Sequence, residues 1–360
     1  MRFLILLIIL LPFTLMAQSR LLIGTYTKSM HVYSFDTETG ALAALDSTNE
    51  LNNPSFLTVS PGGKAVYAVG EAGGGKVYAL GLNGHQLLLK NTQSSGGNGP
   101  CHITMDKAGR NVIVANYGSG SVSVLPVLAD GSLGNPIQTI QHAGSSIVES
   151  RQKGPHAHSA TFSPDEKQVF VADLGIDKIM VYDYQQQNTQ TPLSPAAIPF
   201  VATKPGTGPR HFTFHPNGKY AYVVGELNGE VMAYHYKDKT LVPFQSLSSA
   251  PGASPKFGLA DVHISPDGQF LYLSDRNKQN YLAIFRINKN NGELSFAGHQ
   301  STLGENPRNF LIDPSGKFVL VANQNTNNVV VFKRDPASGK LTPTGHEIKV
   351  QKPVCLQLIK

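Results

Sequence analysis

An all-β fold, a single seven-bladed β-propeller, is what this sequence predicts, and three observations predict it. A motif of the kind Thr213-Phe-His-Pro-Asn-Gly-Lys219 recurs six times along the chain. Short apolar runs of strand length follow each copy. A seventh copy is cut short at the C-terminus, while strand-like runs without a motif stand near the N-terminus.

The other copies are Thr58-Val-Ser-Pro-Gly-Gly-Lys64, Thr104-Met-Asp-Lys-Ala-Gly-Arg110, Thr161-Phe-Ser-Pro-Asp-Glu-Lys167, His263-Ile-Ser-Pro-Asp-Gly-Gln269 and Leu311-Ile-Asp-Pro-Ser-Gly-Lys317. Their spacings are 46, 57, 52, 50 and 48 residues, a period that marks an array of similar units. In each unit a strand leads into the turn, where Pro, Asp and Gly supply the backbone angles that a reversal needs. The second strand is rich in branched and aromatic residues, as in Ala65-Val-Tyr-Ala-Val69 and Tyr220-Ala-Tyr-Val-Val224, which suit a pleated surface. A third follows, as in Val231-Met-Ala-Tyr-His-Tyr236, and a polar fourth is entered through Gly-Xaa-Leu, as in Gly292-Glu-Leu294 and Gly339-Lys-Leu341. Four short strands in about 50 residues is the pattern of a propeller blade.

The last copy, Pro353-Val-Cys-Leu-Gln-Leu-Ile-Lys360, supplies one strand only. Three more are available at the other end, in Arg20-Leu-Leu-Ile-Gly-Thr-Tyr26, Met30-His-Val-Tyr-Ser-Phe35 and Ala41-Leu-Ala-Ala-Leu45. Pairing the two ends closes the ring and hides two open sheet edges. The domain is therefore expected over residues 18–360. Longer insertions at residues 141–154 and 185–208 are expected as loops over one mouth of the channel.

Composition limits the function classes. Hydrophobic residues at 41% can build a core, and 15% charged residues with no Trp argue against a disordered or all-helical chain. The formal charge of +6 is dispersed; without a basic run or face, nucleic acid is not an expected partner. Met1-Arg2, an apolar stretch over residues 3–15 and a small residue at Ala17 read as a secretory signal peptide over residues 1–17. The stretch is too short to span a bilayer, and no later apolar run reaches spanning length, so an exported, periplasmic or extracellular protein is expected. Cys101 and Cys355 fall in different repeats and are expected as separate thiols.

The repeat also selects candidate functional residues, because equivalent positions in different blades stand at equivalent heights round the channel. Three before the aligned Thr stand Ser55, Cys101, His158, Arg210, Ala260 and Arg308. Two before it stand Phe56, His102, Ser159, His211, Asp261 and Asn309; thirteen after it stand Glu71, Tyr117, Leu174, Glu226, Arg276 and Gln324. The start of a hairpin's first strand and the end of its second share one edge, so all three rings are expected at one mouth. Any single polar residue there has a plain structural alternative, capping a backbone group or bridging two blades. Taken together, His158, Arg210, Glu226 and Arg276 come from successive blades and offer two cations, a carboxylate and an imidazole to one small anionic lactone or carboxylate. Arginines bind such acids in forked pairs and stabilise developing negative charge. His158 would be the general acid or base, and Glu226 would orient it, or take the proton itself if burial raised its pKa. His156, His102, His211, Glu71, Tyr117 and Asp261 are further substrate-binding candidates. No third ligand joins His156 and His158 at metal-site spacing, and the site is expected to work without metal or cofactor. A Gly-Xaa-Ser-Xaa-Gly elbow is absent from the sequence, which disfavours a serine hydrolase.

The string Leu-Ile-Gly-Thr-Tyr-Thr at 22–27, Gly208-Pro-Arg-His211 with Pro216-Asn-Gly-Lys219, and Asp261-Val-His-Ile-Ser-Pro-Asp-Gly268 resemble the propeller-type lactonase family. That family includes bacterial 6-phosphogluconolactonases and a fungal carboxymuconate cyclase. The resemblance covers essentially the whole chain from Leu21. It implies a sugar-lactone hydrolase of the 6-phosphogluconolactonase type, a carboxylic ester hydrolase, with the cyclase-like reverse chemistry or a non-catalytic binding propeller as alternatives. It also implies the His, Arg, Glu, Arg set, in which Arg210 and Glu226 match an Arg and a Glu 16 apart. Either His156 or His158 fits the histidine. Phosphorylated sugar lactones belong to the cytoplasm, so export favours an unphosphorylated lactone.

Overall fold

A computed structural model describes residues 18–251, 258–276 and 279–359. Among them there are strands and turns and no helix. The strands form seven four-stranded antiparallel sheets. Six blades follow chain order, with inner strands Pro54–Val59, Pro100–Met105, Ala157–Phe162, Pro209–Phe214, Leu259–Ile264 and Pro307–Ile312 for blades one to six. Blade seven joins the chain ends: Pro353–Ile359 pairs with Gln18–Thr25, followed by Met30–Asp36 and Leu42–Thr48. Arg20 faces Ile359 and Gly24 faces Cys355 across this seam. The expected signal peptide, residues 1–17, lies outside the described residues.

Burial explains the composition of each strand. The second strands, such as Ala65–Gly70 and Phe318–Asn323, are buried along their whole length, which is why they read as continuous apolar runs. The outermost strands, such as Leu341–Lys349, alternate towards solvent. A hydrophobic cluster spans every boundary between neighbouring blades, for example Leu22 and Val32 of blade seven with Val66, Ala68 and Leu80 of blade one. Full burial of such side chains contributes roughly 1.5–3 kcal/mol each, so the ring is held by packing between blades.

The repeated turn works as the motif requires. Gly109, Gly218, Gly268 and Gly316 take φ between 70° and 72° at equivalent positions, where a side chain would be strained. Blade three has Glu166 there, at φ 54°. Its carboxylate accepts the backbone N–H of Lys107 in blade two at 2.8 Å, an inter-blade bond that offsets the strain.

The two insertions differ. Residues 141–154 do connect blade two to blade three at the predicted mouth. Residues 185–208 are not one mouth loop, because they contain the outer strand Leu193–Ala202. The hairpin before it lies at the opposite face: Gln186 donates to Asp106 and Arg110 donates to Gln187, both partners belonging to the blade-two turn. A ten-residue strand that contains Pro195 and Pro199 and buries only Leu193 and Ala196 shows no hydrophobic alternation. Cys101 and Cys355 are free, buried thiols on two inner strands.

Candidate active site

The site depends on one irregularity repeated in every blade. The pairing of the two innermost strands slips by one residue at Ser55, Cys101, His158, Arg308 and Val354, and within Arg210–His211 and Ala260–Asp261. A regular strand would send adjacent side chains to opposite faces; a bulge bends the strand and re-aims them. Ser55 with Phe56, and Arg210 with His211, thus line one and the same channel cavity. Above them, the residues thirteen after the aligned Thr form the mouth ring. Tyr26, which follows the second strand of blade seven, completes that ring and escaped the linear count because its blade is split between the termini.

One sector of the mouth is organised round Glu226. Arg151 Nη2 donates to its Oε1 at 2.6 Å, while Arg210 Nε and Arg276 Nη2 each lie 2.9 Å from Oε2. His158 Nε2 is 4.0 Å from the same oxygen. Burial pushes the Glu226 carboxyl up, but Arg276, Arg210 and Arg151 outweigh it and hold the pKa at about 2. The alternative in which burial raises Glu226 so that it takes the proton is therefore reversed: the carboxylate is held as an anion that gathers cations. Burial, together with Arg276 and Arg308, brings Arg210 down to about 9, which leaves it charged at neutral pH. Burial, with Arg210 close by, pushes His158 well below its usual value. His158 is thus a neutral imidazole rather than a group titrating near pH 7, as the sequence had suggested.

The opposite sector, from blades six, seven and one, is sparser. Tyr26 Oη donates to Glu71 Oε2 at 2.7 Å. Arg308 lies over the Tyr26 ring at 4.9 Å, with Nη2 4.0 Å from Glu71 Oε1. Its guanidinium makes no hydrogen bond to any described residue. Burial raises the Tyr26 phenol, with Glu71 adding to the effect and Arg308 opposing it, so Tyr26 remains a donor.

Below the mouth the channel is filled with rings. Phe56 stacks on His102 at 4.3 Å, and His211 meets His102 and His158 edge-on at 5.6 Å each. Asp261 accepts from His211 Nδ1 at 2.7 Å and from Asn309, and lies 2.9 Å from His263 Nε2. Burial and Arg210 lower His211 to about 4 against the pull of Asp261. The structure therefore places His102, His211 and Asp261 in the floor, one layer beneath the groups that meet solvent. Glu71, Tyr117, Glu226 and Arg276 stand in the mouth ring, with His158 and Arg210 just below. His156 precedes its strand, stacks on Tyr117 at 4.4 Å and donates from Nδ1 to the Tyr117 carbonyl at 2.9 Å. Cys101, raised by burial, stays a thiol against the His158 carbonyl at 3.3 Å. Among the described residues no three His, Cys, Asp or Glu side chains converge as a metal site.

Arg151 was not foreseen. It lies on the 141–154 loop, which carries no repeat signal. The loop is anchored by the neighbouring Gln152, fully buried, whose amide donates to the Leu174 carbonyl at 2.8 Å. Arg308 and Tyr26 were missed for different reasons, the first because it was counted in a ring but not singled out.

The sequence profile of the family described as "Lactonase, 7-bladed beta-propeller" matches residues 20–358. The chain belongs to this lactonase family. A protein of Formosa agariphila named 6-phosphogluconolactonase is 39% identical over 347 residues, spanning 93% of this chain and 98% of its own. A Bacillus subtilis protein of the same name is 37% identical, spanning 94% and 97%. The structure of the periplasmic gluconolactonase of Pseudomonas aeruginosa matches with a TM-score of 0.91 at 36% identity, covering 96% of this chain and 99% of that one. Membership places the chain among lactone-opening enzymes, carboxylic ester hydrolases, rather than among binding propellers. No helix among the described residues is long and apolar enough to cross a membrane.

Proposed function

We propose that the protein opens sugar-type lactones, adding water at the carbonyl carbon, at the mouth framed by Glu71 and Glu226. The observation that carries this reading is a surplus of positive charge. Four guanidiniums, Arg151, Arg210, Arg276 and Arg308, meet two carboxylates, Glu226 and Glu71, round one opening. Such a site favours the anionic oxygen that forms as the ester carbonyl is attacked, and an acidic group on the sugar. Arg276 and Arg308, with side chains 17% and 18% exposed, and the loop Arg151 at 39%, are the cations within reach of a ligand. Arg210 forms the charged floor, Glu226 fixes the arginines, and neutral His158 offers a hydrogen bond to a substrate hydroxyl. The names of the Formosa, Bacillus and Pseudomonas proteins support gluconolactone and its 6-phosphate as the substrate class. The leader-like residues 1–17 and the periplasmic Pseudomonas protein support export, and with it the unphosphorylated lactone.

The test is acid release by the purified protein on gluconolactone and 6-phosphogluconolactone, corrected for spontaneous opening, with Arg276→Ala alongside. Losing one charge-assisted contact of about 1.5–3 kcal/mol should raise KM about 10- to 100-fold. Opening of both lactones at the spontaneous rate would remove the reading, and turnover of an unsaturated diacid instead would replace it with the lactone-forming reaction.

A further inference from the structure

We propose that Glu71 is the general base that activates the attacking water, with Tyr26 orienting it and Arg308 receiving the developing oxyanion. The assignment rests on the lactonase reading above.

Glu226 is unfit for the task, since both its oxygens are engaged by arginines. Neutral His158 is a poor base because burial and neighbouring cations oppose its protonation. Glu71 is arranged differently. Tyr26 holds Oε2, and Oε1 has no hydrogen-bond donor among the described residues, its nearest cation being Arg308 at 4.0 Å. Beside it lies a cavity of about 10 Å³ that Glu71 lines with Ser55, Arg210 and Arg308, room for about one water. A buried polar group on this wall lacks a partner: Ser55 Oγ, in a residue 4% exposed, has no hydrogen bond. Buried polar atoms are rarely left so, and a water in the cavity that Ser55 and Glu71 both line would satisfy it. The charged and titratable groups facing Glu71 or sharing its cavity are Tyr26, Arg308, Arg210, His211 and Cys101. Cys101 competes neither as base nor as nucleophile while burial keeps it a thiol.

In the first step Glu71 Oε1 takes a proton from water as the water oxygen bonds to the lactone carbonyl carbon. The carbonyl π pair moves onto its oxygen, beside the Arg308 guanidinium. As that pair returns, the ring C–O bond breaks and the departing alkoxide takes the proton back from Glu71. The product is the hydroxy acid, which releases its own proton to solvent, and the carboxylate of Glu71 is restored.

Glu71→Gln is expected to lower kcat by about 10²–10⁴ while KM and the melting temperature stay close to those of the native protein. In Glu71→Ala, added formate should restore part of kcat, which a merely structural role would not allow. If Glu71→Gln does not fold, Glu71→Asp decides, with kcat lowered about tenfold at unchanged KM expected. An active native protein whose kcat is indifferent to Glu71→Gln, or to Glu71→Asp in that case, overturns the assignment alone. A native protein that opens no lactone overturns the lactonase reading and the assignment together.

Discussion

Glu71 and Glu226 stand at the same repeat position in blades one and four, yet their surroundings make them different chemical objects. Glu226 sits in a nest of three arginines and is 5% exposed. Glu71 has one phenol, a distant arginine and a side chain 26% exposed. The repeat fixes where a carboxylate stands, and the neighbouring blades decide whether it becomes an anchor for cations or a base open to water.

The largest effect that would sharpen this contrast is on stability. Glu226→Gln leaves Arg210, Arg276 and Arg151 facing one another without their counter-charge. Breaking a buried ion cluster in this way costs about 3–5 kcal/mol, to be read from urea unfolding, whereas Glu71→Gln should cost less than about 1 kcal/mol. Equal losses in the two variants would break the comparison.

A smaller effect separates the sectors by pH, because blades two to four carry the buried imidazoles. His211 is lowered to about 4, and His102 and His158 lie well below their ordinary value. The unfolded chain therefore binds protons first. These three histidines should leave stability unchanged above pH 6.5 and lower it between 6.5 and 4, His211 alone by roughly 3 kcal/mol, while His263, which burial lowers but Asp261 raises further, acts in the opposite sense. Glu226 has the depressed carboxylate's sign, so its contribution is present above about 4.5 and lost as pH falls towards 2. Melting temperature followed from pH 8 to 4 tests this, and a curve that rises on acidification would contradict the neutral, buried assignment of these histidines.

The smallest effect is at Arg151, whose side chain is 39% exposed. Arg151→Ala should cost less than about 1 kcal/mol and raise KM by roughly twofold to fivefold, since each tenfold step needs 1.4 kcal/mol. A KM change as large as that of Arg276→Ala would show that the loop arginine, and not the blade arginine, grips the ligand.

Much of this architecture was legible because a repeat converts one local pattern into a global one. The turn motif gave the blade, its count gave the ring, and the orphan strands at both ends gave the closure. The rings at Glu71, Glu226 and Arg276 were legible for the same reason. Tyr26 was hidden because its blade is divided between the termini, and Arg151 because an insertion has no equivalent to be aligned with. The charge states of His158 and Glu226 were not legible at all. They follow from how many arginines neighbouring blades bring within reach, a property of the assembled ring.

The seam between Pro353–Ile359 and Gln18–Thr25 sets a timetable as well as a topology. In chain order the strand Gln18–Thr25 comes before the other six blades and Pro353–Ile359 after them. The earlier strand must wait for the later, and seven sheets cannot become a closed circle until Pro353–Ile359 has been made. Such long-range pairing slows folding. Until then the ring is open, and Pro353–Ile359 acts as its clasp.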